Sequence, residues 1–250
     1  MLLSLITITR DDPAGLSATL LSAARLRHQP EMEQIVIDGG GGETIAAAAI
    51  PPVRHIARAP HGIADAFNAG LSAATGEWVW FLNGGDRVDE RLSCEFLLML
   101  LRGTRASVII GGTTYAGQTD PHPHLPPVRQ WPPLRAWIPH PSTLMRRRLF
   151  EQLGSFDERY AIAMDYEWWL RALSASVPVD LLAMPFTVFE PGGISQQRDQ
   201  WVKITRERDD AIRRHEYRLW QVWFSSGGRL IKAWLTARLA RRIGSTPRKM

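Results

Sequence analysis

The sequence predicts an α/β fold on a parallel, doubly wound sheet. Short apolar runs of strand length alternate with stretches whose apolar residues recur at helical spacing. Two of these runs, ending at Ile37 and Leu82, give way at once to an Asp beside glycines, in Asp38-Gly39-Gly40 and Asn83-Gly84-Gly85-Asp86. Ligands bind at the carboxyl edge of such a sheet, and glycine there lets the backbone approach them closely.

In chain order, Leu2 to Ile8 reads as a buried strand, followed by Thr9, Arg10 and Asp11. Pro13 to Arg27 carries Leu16, Leu20, Ala23 and Leu26 at helical spacing and ends near His28-Gln29-Pro30. Gln34 to Ile37 is a second strand, closed by Asp38 and the glycines up to Gly42. A short helix over Glu43 to Ala49, a strand over Val53 to Ile56 and a helix over Ala64 to Ala74 follow. Trp78 to Leu82 has the composition of a buried central strand, and Asn83-Gly84-Gly85 is turn chemistry. Asp86 thus sits just beyond a core strand. A hard cation that bridges phosphates needs few protein carboxylates, because phosphate oxygens and water fill its other positions. The competing readings are structural. Asp86 or Asp89 would cap a helix over Glu90 to Leu101, and Asp38 would be a turn residue.

The second half differs. Ser107 to Gly111 is β-like, and Gly117 to Pro133 is a loop rich in Pro and His. Leu144 to Leu153 reads as a helix, basic at Arg146, Arg147 and Arg148. Asp165 to Ala175 is a helix that opens on Met164-Asp165-Tyr166-Glu167-Trp168-Trp169. Acids at a helix start compensate its dipole; an acid beside aromatics is also how a carboxylate is desolvated into a better base. Val179 to Phe189 is strand-like, Pro191 to Ser195 a turn, and Gln196 to His215 a charged helix.

With 250 residues, 45% of them hydrophobic, one large domain or two small ones are expected. A single cysteine, Cys94, excludes an intramolecular disulfide and a cysteine-based zinc site. Met1 to Ile8 lacks the basic flank of a secretory signal, and no apolar run approaches the ~20 residues that span a bilayer. The net charge of +5 has a local source: from Arg229 to Lys249 every charge is basic. Over Leu219 to Ile243, Trp220, Trp223, Phe224, Leu230, Trp234 and Leu239 interleave with Arg229, Lys232, Arg238 and Arg241. That is the pattern of a helix lying in a membrane interface, with an anionic lipid surface as its partner. The alternative is a terminal helix docked on its own domain or on a second copy. Aromatics at helical spacing do not make a base-stacking platform, so no nucleic-acid partner is expected.

Several segments together resemble family 2 glycosyltransferases. They are Ile35-Val36-Ile37-Asp38-Gly39-Gly40, Gly62-Ile63-Ala64-Asp65-Ala66-Phe67-Asn68-Ala69-Gly70, Phe81-Leu82-Asn83-Gly84-Gly85-Asp86, His140-Pro141-Ser142-Thr143 and Met164 to Arg171. Their order and spacing are similar to those of the bacterial exopolysaccharide and colanic-acid type. The resemblance implies a GT-A, Rossmann-like fold: a mixed central sheet with helices on both faces, a nucleotide-sugar half over 1–104 and an acceptor half over 105–215. The tail, 216–250, lies outside it.

The resemblance also implies an inverting transfer of a sugar from a nucleotide-diphosphate sugar to a saccharide or lipid-linked acceptor. Carried over by position, Thr7, Thr9, Asp38, Asp65 and Asn68 would bind the nucleotide. Asp86 would face a Mg2+ or Mn2+ ion, and Asp165 would be the general base. His140 and Glu167 would lie on the acceptor side. The expected place is the cytoplasmic face of a bacterial inner membrane, held there by the tail. The family's multi-acid motif is reduced here to the single carboxylate of Asn83-Gly84-Gly85-Asp86. Two rivals follow: a GT-A-like binding or scaffold protein without turnover, and a nucleotidyltransferase. The second lacks an early glycine-rich basic loop, since the first strand runs into Thr9-Arg10-Asp11-Asp12-Pro13.

Overall fold

Trp78 to Leu82 is buried on both faces, and the rest of the chain is layered around it. A computed structural model describes residues 1–41, 52–118 and 138–215. The strands are β1 (Leu3–Thr9), β2 (Met32–Asp38), β3 (Val53–Ala57), β4 (Trp78–Asn83), β5 (Arg87–Val88), β6 (Val108–Tyr115), β7 (Thr143–Arg146) and β8 (Val179–Phe189). They form one 8-stranded sheet in the order β3-β2-β1-β4-β7-β6-β8-β5. The helices are α1 (Pro13–Ser22), α2 (Ala24–Arg27), α3 (Ile63–Ala73), α4 (Cys94–Gly103), α5 (Arg148–Leu153), α6 (Met164–Ser174) and α7 (Trp201–Arg214).

Strands β3, β2, β1 and β4 are parallel, in register Leu3↔Met32 and Leu3↔Trp78 across β1. Strand β7 then runs antiparallel to both β4 and β6, while β6 and β8 are parallel. The sheet is therefore mixed, as the family resemblance implies, and not wholly parallel as strand–helix alternation alone predicts. Side chains alternate along β4. Trp78, Trp80 and Leu82 pack with Leu97 and Leu101 of α4, and Val79 and Phe81 pack with Phe67 of α3 and Trp168 of α6. An apolar core on each face accounts for the unbroken hydrophobic run.

Three local expectations change. The helix expected over Leu144 to Leu153 is a strand, Thr143–Arg146, followed by a short helix, Arg148–Leu153. Leu144 and Met145 enter opposite core layers while pairing with Trp80 and Val79, so tertiary pairing overrides helical spacing. The helix expected from Glu90 begins at Cys94, capped by Ser93, whose Oγ accepts from Phe96 N–H at 3.1 Å. Neither Asp86 nor Asp89 caps it. Asp89 instead accepts from Arg91 at 2.6 Å and from the Thr114 hydroxyl at 3.1 Å. The helix expected over Pro13 to Arg27 breaks at Ala23 into α1 and α2. The short helix expected over Glu43 to Ala49, most of the loop after Gly117 and the basic tail lie outside the described residues.

Candidate active site

The parallel strands end on one edge, and the loops that leave them form the first wall of a cavity of about 880 Å3. Thr9, Gly39, Asn83, Gly84, Gly85 and Asp86 contribute from β1, β2 and β4. Gly84 N–H donates to Ile8 O at 2.8 Å and Gly85 N–H to Gly15 O at 3.0 Å, tying the β4 loop to β1 and α1. Gly85 has φ of +102°, a conformation that favours glycine. The Thr19 hydroxyl of α1 donates to Asp86 O at 2.7 Å and fixes the far side of the same loop.

Asp86 is 3% exposed. Its Oδ1 accepts from Glu190 N–H at 3.1 Å and its Oδ2 from the Asn83 side-chain amide at 3.2 Å. Burial pushes its carboxyl up to about 6; the two hydrogen bonds oppose the shift, and the nearby Glu190 carboxylate adds to it. Glu190, just past the end of β8, lines the same cavity. Among the described residues no group of three or more His, Cys, Asp or Glu is assembled. Asp86 and Glu190 meet through the Glu190 backbone N–H, and the Glu190 carboxylate lies 3.8 Å from Arg87.

The opposite chemistry comes from the second half. Asp165 is the second residue of α6, lines the cavity and is half-buried. Its Oδ1 accepts from Tyr166 N–H at 2.6 Å. Tyr166, Trp168 and Trp169 turn away into the core. His140 also lines the cavity. Its ring stacks on Phe81 at 5.4 Å and meets Phe67 and Phe156 edge-on at 5.3 and 5.6 Å. Both ring nitrogens are buried without a hydrogen-bond partner. Burial lowers the His140 pKa, partly offset by the Asp165 charge, so the ring is neutral at pH 7.

Of the residues singled out in the sequence, Thr9, Asp65, Asp86, His140 and Asp165 share this cavity. The Thr9 hydroxyl lacks a hydrogen-bond partner. Asp65 is held by both Arg58 nitrogens at 2.7 and 2.6 Å, which lowers its carboxyl pKa. The other four stand outside the lining. Thr7 is buried within the sheet. Asp38 lies beneath Gly39, accepting from Gly40 N–H at 2.8 Å and meeting His55 Nε2 at 3.2 Å. Asn68 bridges α3 to the chain after α5, donating to Phe156 O at 2.9 Å and accepting from Phe156 N–H at 3.0 Å. Glu167, on the buried side of α6, pairs with Arg171 and with His215, each at 2.8 Å. Residues two apart on a helix point to roughly opposite sides, so Asp165 and Glu167 do not share a face.

Sequence reasoning passed over Thr19, Arg58 and Glu190. Thr19 and Arg58 carry no local signal. Glu190 does: Phe189-Glu190-Pro191-Gly192-Gly193 is a third strand end with an acid beside glycines, the pattern that singled out Asp38 and Asp86.

Residues 4–167 match the profile of glycosyl transferase family 2. Two uncharacterized glycosyltransferases of Mycobacterium tuberculosis, from strains CDC 1551 / Oshkosh and ATCC 25618 / H37Rv, are each 29% identical over 209 residues, spanning 78% of this chain and 78% of each relative. Among solved structures, S. aureus TarS 1-349 in complex with UDP-GlcNAc superposes with a TM-score of 0.68 at 16% identity, over 85% of this chain and 66% of that one. The same fragment in complex with UDP gives 0.65 at 17% identity, over 85% and 65%. At such identities the likeness to TarS is one of fold, a mixed α/β sheet similar to that of GT-A glycosyltransferases.

Proposed function

The chain belongs to glycosyl transferase family 2, and on that premise we propose that it moves a sugar, with inversion, from a nucleotide-diphosphate sugar to a saccharide or lipid-linked acceptor. The acceptor hydroxyl gives its proton to Asp165 as its oxygen attacks the anomeric carbon. The bond from that carbon to the diphosphate breaks, and the nucleoside diphosphate leaves. Asp86, with Glu190, is the proposed holder of a Mg2+ or Mn2+ ion, which when bound would neutralise the charge growing on the leaving diphosphate. Thr9 and the glycine loops face the nucleotide, and His140 stands on the acceptor side.

The observation that carries this reading is the sharing of one cavity by Asp86 and Asp165. One lies at the end of a parallel strand and the other at the start of a helix from the far half of the chain. The TarS complexes with UDP and UDP-GlcNAc make uridine diphosphate the first nucleotide to try. The test is thermal stability against a panel of nucleoside diphosphates with and without Mn2+, since a ligand of the folded state raises the midpoint. A metal-dependent rise with one diphosphate, lost in Asp86→Ala, supports the donor site. No rise with any of them shifts the reading to a scaffold protein.

The proposed setting is the synthesis of bacterial cell-surface polysaccharide of the exopolysaccharide or colanic-acid type, at the cytoplasmic face of the inner membrane. Among the described residues no helix is long and apolar enough to cross a membrane. The basic, aromatic-rich segment over 216–250 is the proposed anchor, by its composition. Vesicle binding that weakens with salt and disappears on its removal is the expected result.

A further inference from the structure

We propose that Glu207 of α7 is the positioning residue for Asp165, holding the wall of the cavity that carries it. This rests on reading Asp165 as the general base. The chain enters α6 through Ala161, Ile162 and Ala163, whose successive N–H groups converge on the Glu207 carboxylate. Ala161 donates to Oε1 at 3.1 Å, and Ile162 and Ala163 donate to Oε2 at 2.9 Å each. Successive backbone N–H groups in a turn form a concavity that binds an anion, and here a side chain from forty-odd residues downstream fills it. The capping residue of α6 is Ala163, which has no side-chain acceptor of its own. The Glu207 bonds fall on the N–H of that cap residue and of the two residues before it, at the entry to the helix.

The clamped residues are themselves part of the site. Ala161, Ile162, Met164 and Asp165 all line the cavity. Helix α7 is fixed independently: Ile204, Ala211 and Ile212 are buried, and Asp210 accepts from the Tyr160 hydroxyl at 2.9 Å. His215, next after the helix, pairs with Glu167. Glu207 therefore transmits the position of a docked helix to the segment that aims Asp165. It lies beyond the 4–167 stretch matched by the family profile. Charge-assisted hydrogen bonds are short and strong, and a misplacement of about 1 Å at a reacting group can cost on the order of 100-fold in rate.

The experiment compares Glu207→Gln, Glu207→Asp, Asp210→Asn and Asp165→Asn in the full chain, with sugar transfer and amide hydrogen exchange as readouts. Glu207→Gln keeps the size but replaces one acceptor oxygen with an NH2 that faces backbone N–H groups. Its expected kcat is lower by about 10-fold or more, with the donor KM within about twofold. Glu207→Asp, which keeps the charge at a shorter reach, falls between it and wild type. Exchange across 161–166 rises in Glu207→Gln. Asp210→Asn, whose amide oxygen still accepts from the Tyr160 hydroxyl while α7 stays docked through Ile204, Ala211 and Ile212, keeps kcat and leaves that exchange unchanged.

Unchanged kcat or unchanged exchange in Glu207→Gln overturns the proposal while leaving the base assignment standing, provided Asp165→Asn is inactive. Near-full turnover in Asp165→Asn overturns the base assignment, and this proposal with it. Equal loss of kcat in Asp210→Asn and Glu207→Gln reduces Glu207 to ordinary helix docking and overturns its special role. If Glu207→Gln does not accumulate as folded protein, Glu207→Asp decides on the same two readouts.

Discussion

The two walls of the cavity are held in different ways. The wall at the end of β1, β2 and β4 is assembled by short turns on parallel strands, with the Asp86 loop tied to Ile8, Gly15 and Thr19. The wall that carries Asp165 hangs from α7 through Glu207, and α6 is tied to the same helix end by Glu167 and His215. The first wall is a property of strand ends and glycines. The second exists only once the end of the described chain has folded back. The two carboxylates differ to match: Asp86 is buried with its pKa pushed up to about 6, and Asp165 is half-buried at a helix start. A group that holds a cation tolerates desolvation, because the cation restores its charge balance. A base must meet an incoming hydroxyl.

The sharpest break between the walls comes from removing each carboxylate. Asp165→Asn should lower kcat by about 100- to 10,000-fold, the usual weight of general-base catalysis. Nucleoside diphosphate affinity should stay near wild type by titration calorimetry. Asp86→Asn should do the reverse on the binding side, abolishing the Mn2+-dependent part of nucleotide affinity. Loss of nucleotide affinity in Asp165→Asn would merge the two walls into one.

A smaller effect tests what holds the walls together. Asn68→Ala removes the side chain that bridges α3 to Phe156. It should destabilise by roughly 1–3 kcal/mol and leave nucleotide affinity within about twofold. A large affinity loss in stable protein would return Asn68 to the nucleotide site.

The smallest effect is a pH dependence between the walls, at His140. Its folded pKa lies below the ordinary value of 6.5, because burial disfavours the charged ring. A depressed pKa contributes stability that is present above 6.5 and lost as pH falls, because the unfolded chain takes up a proton that the folded one refuses. From pH 7.5 to pH 5 the loss should reach up to roughly 2 kcal/mol. His140→Phe keeps the stack on Phe81 and should flatten that slope in urea melts at the two pH values. An unchanged slope would assign the acid sensitivity to other groups.

Much of this site was legible before any fold was known. The strand ends at Asp38 and Asp86, the start of α6 at Met164–Asp165, and strand Val179–Phe189 follow from composition, turn residues and spacing. The same reasoning misread Thr143–Arg146, because a short apolar run fits either period until a partner strand is present. The family resemblance implies Asn68 at the nucleotide and Glu167 at the acceptor; the structure gives their polar atoms to Phe156 and to Arg171 and His215.

The sequence by itself determined the α/β class, the two acids at strand and helix ends, and the motif order that marks the family. These depend on residues close together in the chain, where turn chemistry and side-chain period act directly. Only the tertiary structure decided the strand order in which β7 turns antiparallel, and that the Glu190 N–H meets Asp86. It alone paired Glu167 with His215 and set Glu207 beneath the entry to α6. Each of those rests on groups tens of residues apart. Nothing local to either partner specifies such a meeting; it follows from packing helices and strands against one shared core.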